Sequence, residues 1–317
     1  MGLLRLADRM KAIAIRQYGG PEVVEWTDLP DPKVGPDSVL VQVRAAGVNP
    51  VDWKVREGRL DGTFDVRFPL IPGWDVAGVV RAVGGAVTEF APGDEVIGYV
   101  RKDSVEHGTY AELVAAPVRT LARKPAALDW AQAGGLPLAG LTAYQSLVKA
   151  LRIKAGETVL VHAAAGGVGH LAVQIARALG ARVIGTAGPR NHAYLRELGA
   201  EPVAYGDGLA ERVRELAPRG VDAALDLVGG DAVAVSATLV ADPARIASVA
   251  DYGVAARGGH YVWGRPDGAD LTALATLADE GRLTVTVAST LPLAQAASAQ
   301  ALSAEGRTRG KIVLLVD

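Results

Sequence analysis

Apolar residues in the first hundred positions come in short runs broken by proline and glycine. Lys11–Arg16 and Val23–Thr27 are two such runs, with the turn Tyr18-Gly-Gly-Pro21 between them. Asp28–Asp37 carries three prolines and reads as a connection. Ser38–Arg44 is rich in β-branched residues and predicts a strand, as do Asp75–Val83 and Glu95–Val100. Gly78, inside the second of these, marks a bulge or a close backbone approach. Several short strands separated by Pro/Gly turns predict a compact, barrel-like domain.

The pattern changes near residue 130. Asp129–Lys149 has helical spacing, broken by Gly-Gly-Leu-Pro at 134–137. From Thr158 onward, strands and helices alternate. Thr158–His162, Arg182–Thr186, Glu201–Tyr205, Ala223–Leu227 and Arg245–Ala250 read as strands. Gly169–Leu179, Asn191–Leu198 and Leu209–Ala217 read as helices. This alternation predicts an α/β fold with a doubly wound parallel sheet. The tail segments Leu283–Leu291, Ala294–Glu305 and Lys311–Val316 are again mixed.

Length and charge narrow the class. A chain of 317 residues exceeds what one core usually serves, which favours two domains. The 33 basic and 35 acidic side chains leave a net charge of −2, with no electrostatic case for nucleic acid or an anionic membrane as main partner. The absence of cysteine excludes disulfides, iron–sulfur clusters, thiolate zinc and a cysteine nucleophile, and it fits a cytoplasmic protein. No uncharged apolar stretch is long enough to span a bilayer, and the N-terminus lacks a secretory pattern. Residues 1–9 read as an extension, poorly ordered, ahead of the first strand-like run.

The strongest local signal is Val159–Ile175, a strand entering a small-residue loop that opens a helix. Ala163, Gly166 and Gly169 give the spacing small-x-x-Gly-x-x-Gly. Such a loop lets backbone N–H groups approach a pyrophosphate, with the helix N-terminus facing the negative charge. Gly169 allows close helix–strand packing, and Leu171, Ile175 and Leu179 would bury the helix on the sheet. The alternative is a bare tight turn. His162 and His170 flank the loop and read as packing or capping residues, because neither has a carboxylate at a telling spacing.

The end of the second strand bears on cofactor choice. An NAD site places an acid there for the ribose 2′-OH. Ile184–His192 has none. Arg190 stands where it would pair a 2′-phosphate, with His192 nearby and Thr186 closing the strand, so NADP(H) is favoured over NAD(H). The other reading of Arg190 is a solvated helix-start residue. Tyr205 would pack near the adenosine phosphate or sit in the core.

Several segments together resemble one family. Lys11–Glu22, Ala46–Lys54, Pro72–Val80, Val87–Gly98, Leu141–Tyr144, the nucleotide loop and Arg309–Leu314 are similar, in collinear order, to the medium-chain dehydrogenase/reductase superfamily, in its zinc-free quinone oxidoreductase branch. The resemblance implies a GroES-like substrate domain over 1–130 and 283–317. It implies a Rossmann NADP(H)-binding domain over 131–282, an interdomain active site and a homodimer. It assigns Asn49 to the nicotinamide ribose, Thr142 to the nicotinamide end, and Ala164, Ala165, Gly166, Gly167, Val168 and Gly169 to the pyrophosphate. Leu227–Gly229, Ser248–Ala250 and Tyr261–Trp263 match segments lining the nicotinamide, with Leu227, Val228, Ala250, Tyr261, Val262 and Trp263 as the cofactor contacts. Asn49, Trp53, Lys54, Tyr99 and Trp263 would face the substrate.

Zinc-dependent relatives carry Cys and Gly-His-Glu; here Gly73-Trp-Asp75 stands in that place, so no metal is expected. Hydride delivery to a quinone or an α,β-unsaturated carbonyl suits a metal-free site, since the acceptor's carbonyl holds the incoming charge. Lys54, Tyr99, Tyr110, Tyr252 and Tyr261 are candidate proton donors, none singled out, and no catalytic residue is assigned. Asp52 and Lys54 would form an ion pair orienting the loop or a plain surface pair. Trp53, Trp74 and Trp263 would form a lid or belong to the core. Three readings stay open: an NADPH-dependent quinone or enone reductase, a pathway-specific enoyl reductase, and a non-catalytic NADPH-binding protein. The Arg56–Phe68 and Arg101–Gly108 loops would set substrate specificity.

Overall fold

The computed structural model describes residues 9–317. The expectation of disorder at the N-terminus lies outside the described residues, apart from Arg9, which opens the first strand. Contacts divide the chain into two compact units. The first runs to Leu138 and takes back Arg265–Ala275 and Val287–Asp317; the second comprises Ala139–Gly264 and Thr276–Thr286.

The first unit is mostly β. Its early elements are β1 (Arg9–Ile15), β2 (Val24–Pro30), β3 (Ser38–Val48), α1 (Pro50–Arg56), β4 (Asp65–Ile71), β5 (Asp75–Val83), β6 (Glu95–Tyr99), β7 (Ser104–His107), β8 (Leu113–Pro117), β9 (Leu121–Arg123) and α2 (Trp130–Gly135). Helix α3 (Pro137–Tyr144) straddles the division and runs into a π-helical turn, Gln145–Ala150. The break expected at 134–137 is therefore where one helix ends and the next starts on Pro137.

The second unit holds β10 (Thr158–Val161), α4 (Gly169–Ala178), β11 (Arg182–Thr186), α5 (His192–Glu197), β12 (Glu201–Val203), α6 (Leu209–Leu216), β13 (Ala223–Asp226), α7 (Ala232–Ala237), β14 (Ile246–Ser248) and β15 (His260–Tyr261). Then come α8 (Gly268–Asp279), which is divided between the units after Ala275, and, in the first unit, β16 (Val287–Pro292), α9 (Ala296–Ala304) and β17 (Lys311–Leu315).

The second unit's six strands are all parallel, in the order β12-β11-β10-β13-β14-β15. Counted within the unit this is 3-2-1-4-5-6, the Rossmann order, whose binding crevice lies outside the carboxyl ends of the strands. Leu160, Ile184, Ala224 and Ile246 form its core with Val213 and Val233 from the helices. In the first unit, β16-β17-β3-β5-β6-β9 form one sheet with β8 on β3, and β2-β1-β4-β7 form another. Val39, Val41 and Val43 alternate inward from β3 and meet Val76, Val80, Ile312 and Leu314.

Three expectations change. Strand β2 continues through Asp28–Pro30, part of the expected connection; as an edge strand it tolerates a terminal proline without breaking a ladder. Parts of the two expected specificity loops are strands, with Asp65 and Val66 of β4 pairing in parallel with Ser104 and Val105 of β7. Their sequences lack clean alternation, so cross-strand pairing decides. Helices α1 and α8 were also not anticipated, although Asn49, Pro50 and Asp52 form a helix-start signal for α1. Gly78 behaves as expected: a Cβ there would stand 2.1 Å from the Gln42 carbonyl oxygen.

Candidate active site

The nucleotide loop forms as the small-residue spacing requires. It leaves β10 at Val161 and enters α4 at Gly169. A Cβ on Gly169 would lie 2.3 Å from the Ala163 carbonyl oxygen and 2.7 Å from the Ala164 Cα, so only glycine fits. Ala163 takes a left-handed backbone (φ 53°) that glycine adopts more readily. Its N–H donates to Thr186 Oγ1 at 3.0 Å, and the Ala164 N–H donates to the Thr186 carbonyl at 3.0 Å. Thr186 thus pins the loop to the end of β11. Ala164 and Ala165 are buried, while Gly166, Gly167 and Val168 reach the surface. Residues 163–169 carry no side chain larger than valine and no acid. They fit a dinucleotide pyrophosphate, held by backbone amides at the first turn of a ten-residue helix.

Both flanking histidines are structural. The Ser236 hydroxyl donates to the Ala232 carbonyl at 2.7 Å, so its oxygen accepts the proton of His162 Nε2 at 2.9 Å. Burial pushes His162 down to about 4, against the pull of nearby Asp226, and keeps it neutral at pH 7. His170 Nε2 accepts the Thr286 N–H at 3.2 Å, which leaves its protonated Nδ1 to donate to the Gly166 carbonyl at 3.0 Å.

Past β11 the chain turns through Pro189–Asn191, and Arg190 is exposed there. His192 Nε2 lies 3.1 Å from the Ala187 carbonyl. Tyr205 stands beyond the end of β12 and is 67% exposed, which corrects the core alternative. Its ring edge lies beside Gly188, close to the Arg190 turn.

The other half of the sheet ends in two buried polar residues. Asp226 closes β13 and Ser248 closes β14, both with no exposure. Beyond them follow Leu227 and Val228, then Ala250, and past β15 Val262 and Trp263. Val262 donates its N–H to the Ser248 carbonyl at 2.8 Å. Tyr261 stacks on Tyr252 with ring centroids 4.1 Å apart. Thr142, on α3, is buried with its hydroxyl against Gly264, where a Cβ would come within 2.6 Å. The structure therefore gathers most of the proposed cofactor residues of this unit at the carboxyl ends of its strands.

In the first unit, Asn49 caps α1 and is 2% exposed. Its Nδ2 donates to Asp75 Oδ2 at 2.9 Å, and Lys311 Nζ donates to its Oδ1. Lys311 also donates to the Val48 carbonyl at 3.1 Å and stands 3.9 Å from Asp75. Asp75 Oδ1 accepts the Leu138 N–H at 2.7 Å. Asp52 accepts the Asn49 N–H and the Tyr110 hydroxyl, each at 2.8 Å. Burial pushes Asp52 up to about 7 and Asp75 up to about 6, and it lowers Lys311. The sequence did not join Asp75, Tyr110 and Lys311 to Asn49 and Asp52, because these partners are remote in the chain.

The Asp52–Lys54 pair is not formed, on the surface or otherwise. Asp52 is 3% exposed and bonded inward, while Lys54 lies over the Trp53 ring at 5.5 Å. Arg59 lies over the same ring at 5.1 Å, and Trp53 Nε1 is buried without a partner. Trp74 belongs to the core, edge-on to Phe64 at 5.5 Å. Tyr99, expected on the substrate side, is 2% exposed and packs beside Trp74.

The donor set of this unit does not fit zinc. The chain has no cysteine, and the carboxylate of Asp75 is taken by Asn49 and Leu138 beside the Lys311 ammonium.

A parallel sheet in Rossmann order with a small-residue loop, in a chain that also carries a β-rich unit, defines the two-domain dehydrogenase/reductase class of fold. Residues 35–126 match the alcohol dehydrogenase GroES-like domain, and residues 198–314 match the family described as zinc-binding dehydrogenase. The chain is 34% identical to the quinone oxidoreductase of Coxiella burnetii, covering 98% of this chain and 100% of that one with a TM-score of 0.85. A solved NAD-dependent alcohol dehydrogenase is 34% identical, covering 97% of this chain and 100% of that one with a TM-score of 0.87. The chloroplastic NADPH-dependent alkenal/one oxidoreductase of Arabidopsis thaliana is 39% identical over 69% of this chain and 58% of its own length. The chain spans a little over half the length of the first curated relatives it matches. It belongs to the medium-chain dehydrogenase/reductase superfamily, in the quinone oxidoreductase branch.

Proposed function

We propose that the protein is a metal-independent, NADPH-dependent reductase of quinones or α,β-unsaturated carbonyls. The observation that carries the cofactor choice is the end of β11. No acidic side chain stands there for a ribose 2′-OH, and Arg190 is exposed on the turn that follows.

In this reading residues 164–169 hold the pyrophosphate, Arg190 pairs the 2′-phosphate and Tyr205 covers the adenosine side. Leu227, Val228, Ala250, Tyr261, Val262 and Trp263 wall the nicotinamide end, with Thr142. Asn49 is assigned to the nicotinamide ribose, its amide oriented by Lys311 and Asp75. When bound, NADPH supplies a hydride. The acceptor's carbonyl stores the resulting charge as an enolate or hydroquinone anion, which solvent protonates. The protein positions the reactants and needs no strong acid of its own. The names of the quinone and alkenal/one relatives support this substrate class.

The test is to mix purified protein with NADPH or NADH, in the presence of phenanthrenequinone or an aliphatic enone, and follow cofactor absorbance. NADPH-selective consumption supports the reading. NADH preference overturns the Arg190 assignment. NADPH binding without turnover of either acceptor overturns the substrate class.

A further inference from the structure

Asp226 is buried at the end of β13 and has a full set of partners, none of them a cation. Its Oδ1 accepts the N–H groups of Val228 at 2.8 Å and Gly229 at 2.9 Å. Its Oδ2 accepts the Ser248 hydroxyl at 2.6 Å. Ser248 Oγ in turn accepts the N–H groups of Ala250 at 3.0 Å and Asp251 at 2.8 Å. Five hydrogen bonds thus run through one carboxylate and one hydroxyl. They join the loop after β13 to the loop after β14.

The loops need such a tie. Gly229 and Gly230 both have left-handed backbones (φ 78° and 63°), where the chain has most freedom. Val228 is 62% exposed, and Ala250 is also exposed, so side-chain packing holds neither in place. Their backbone is set by Asp226 and Ser248. A carboxylate suits the task, because it accepts several bonds and donates none.

We propose that Asp226 and Ser248 are positioning residues: together they fix the two loops that hold the nicotinamide end of the cofactor. This rests on the assignment of Leu227, Val228 and Ala250 to that end. Neither residue touches the cofactor. Ser248→Ala removes the side-chain bridge between the loops and leaves only the backbone bond from the Val249 N–H to the Asp226 carbonyl. Asp226→Asn keeps the shape but turns an acceptor of the Ser248 hydroxyl into a donor.

The test compares two ligands by calorimetry: NADPH, and 2′,5′-ADP, which lacks the nicotinamide. The expected result is NADPH binding about tenfold weaker in both variants, as loss of a charge-assisted hydrogen bond would give, with 2′,5′-ADP binding within about twofold of wild type. Equal weakening of both ligands would mean a general structural role and would overturn the proposal. So would unchanged NADPH binding in Ser248→Ala, a change small enough for the fold to tolerate. Wild-type protein that binds neither ligand would overturn the proposed function itself, and this inference with it. Wild-type protein that binds 2′,5′-ADP as tightly as NADPH would overturn the inference alone.

Discussion

Lys311 and Asn49 stand 262 positions apart in the chain, and the ammonium of one is bonded to the side-chain carbonyl of the other. With Asn49 Nδ2 on Asp75, this contact fixes which way the amide points. A buried amide whose two ends are both engaged cannot flip without breaking both bonds.

Removing the lysine should be costly. Lys311 is 4% exposed and Asp75 is wholly buried, so Lys311→Met leaves a buried carboxylate without its cation. The expected loss is about 3–5 kcal/mol of unfolding free energy. Combining it with Asp75→Asn should recover a large part, because the orphaned charge goes with it. Urea midpoints of the two single variants and the double variant measure this coupling. Additive losses would show that the two side chains do not interact.

The same cluster sets a pH dependence. The folded Asp52 and Asp75 titrate near 7 and near 6, well above the unfolded value of about 3.9. Between these values the folded state binds more protons than the unfolded one. Their contribution is fully present in acid and is lost as pH rises through the folded values. His162 works in the opposite sense. Its folded value near 4 lies below the unfolded value of about 6.5, so its contribution is lost as pH falls toward 4. Asp52→Asn isolates the acid. Its stability relative to wild type should rise steadily from about pH 5 to about pH 7. A difference independent of pH would refute the raised Asp52.

Gly169→Ala tests the nucleotide loop. The new Cβ meets backbone atoms of Ala163 and Ala164, which cannot move aside as a flexible side chain would. A loss of about 1–3 kcal/mol is expected, with weaker NADPH binding. Thermal melts with and without NADPH separate the two effects. A variant with unchanged melting and binding would mean that α4 is free to shift.

Arg190→Glu tests cofactor selectivity. An acid in that position repels a 2′-phosphate and offers an acceptor to a 2′-hydroxyl. NADPH affinity should fall about 10- to 100-fold, the worth of a charge-assisted bond, while NADH affinity holds or improves. Parallel titrations of the two cofactors decide it. Equal changes for both would place Arg190 away from the 2′-position.

The nucleotide loop was legible in the sequence because local backbone sterics dictate it. Small residues at 163, 166 and 169, between a β-branched strand and an amphipathic helix, leave few other conformations. The parallel sheet followed from the same alternation. The Asn49–Asp75–Lys311–Asp52 cluster was not legible, since each member is an ordinary polar residue and only β17 lying against β3 brings the lysine near. Asp226 escaped for a related reason: two of its bonds go to backbone N–H groups, which leave no mark on the sequence, and the third to a serine 22 positions away. Strands β4 and β7 were hidden because pairing between remote segments, not an alternating pattern, makes them strands.

Synthesis runs from the N-terminus, yet the unit whose strands come first is completed only after the nucleotide-binding unit. All residues of the nucleotide-binding unit have been translated once the ribosome passes Thr286, whereas β16 and β17 are still to come. At roughly 5–20 residues per second this interval lasts seconds. Throughout it the edge of β3 that β17 will cover stands open, and Asp52 and Asp75 wait for an ammonium not yet made. The nascent chain therefore carries an unpaired stretch of the β3 edge until β17 has been made.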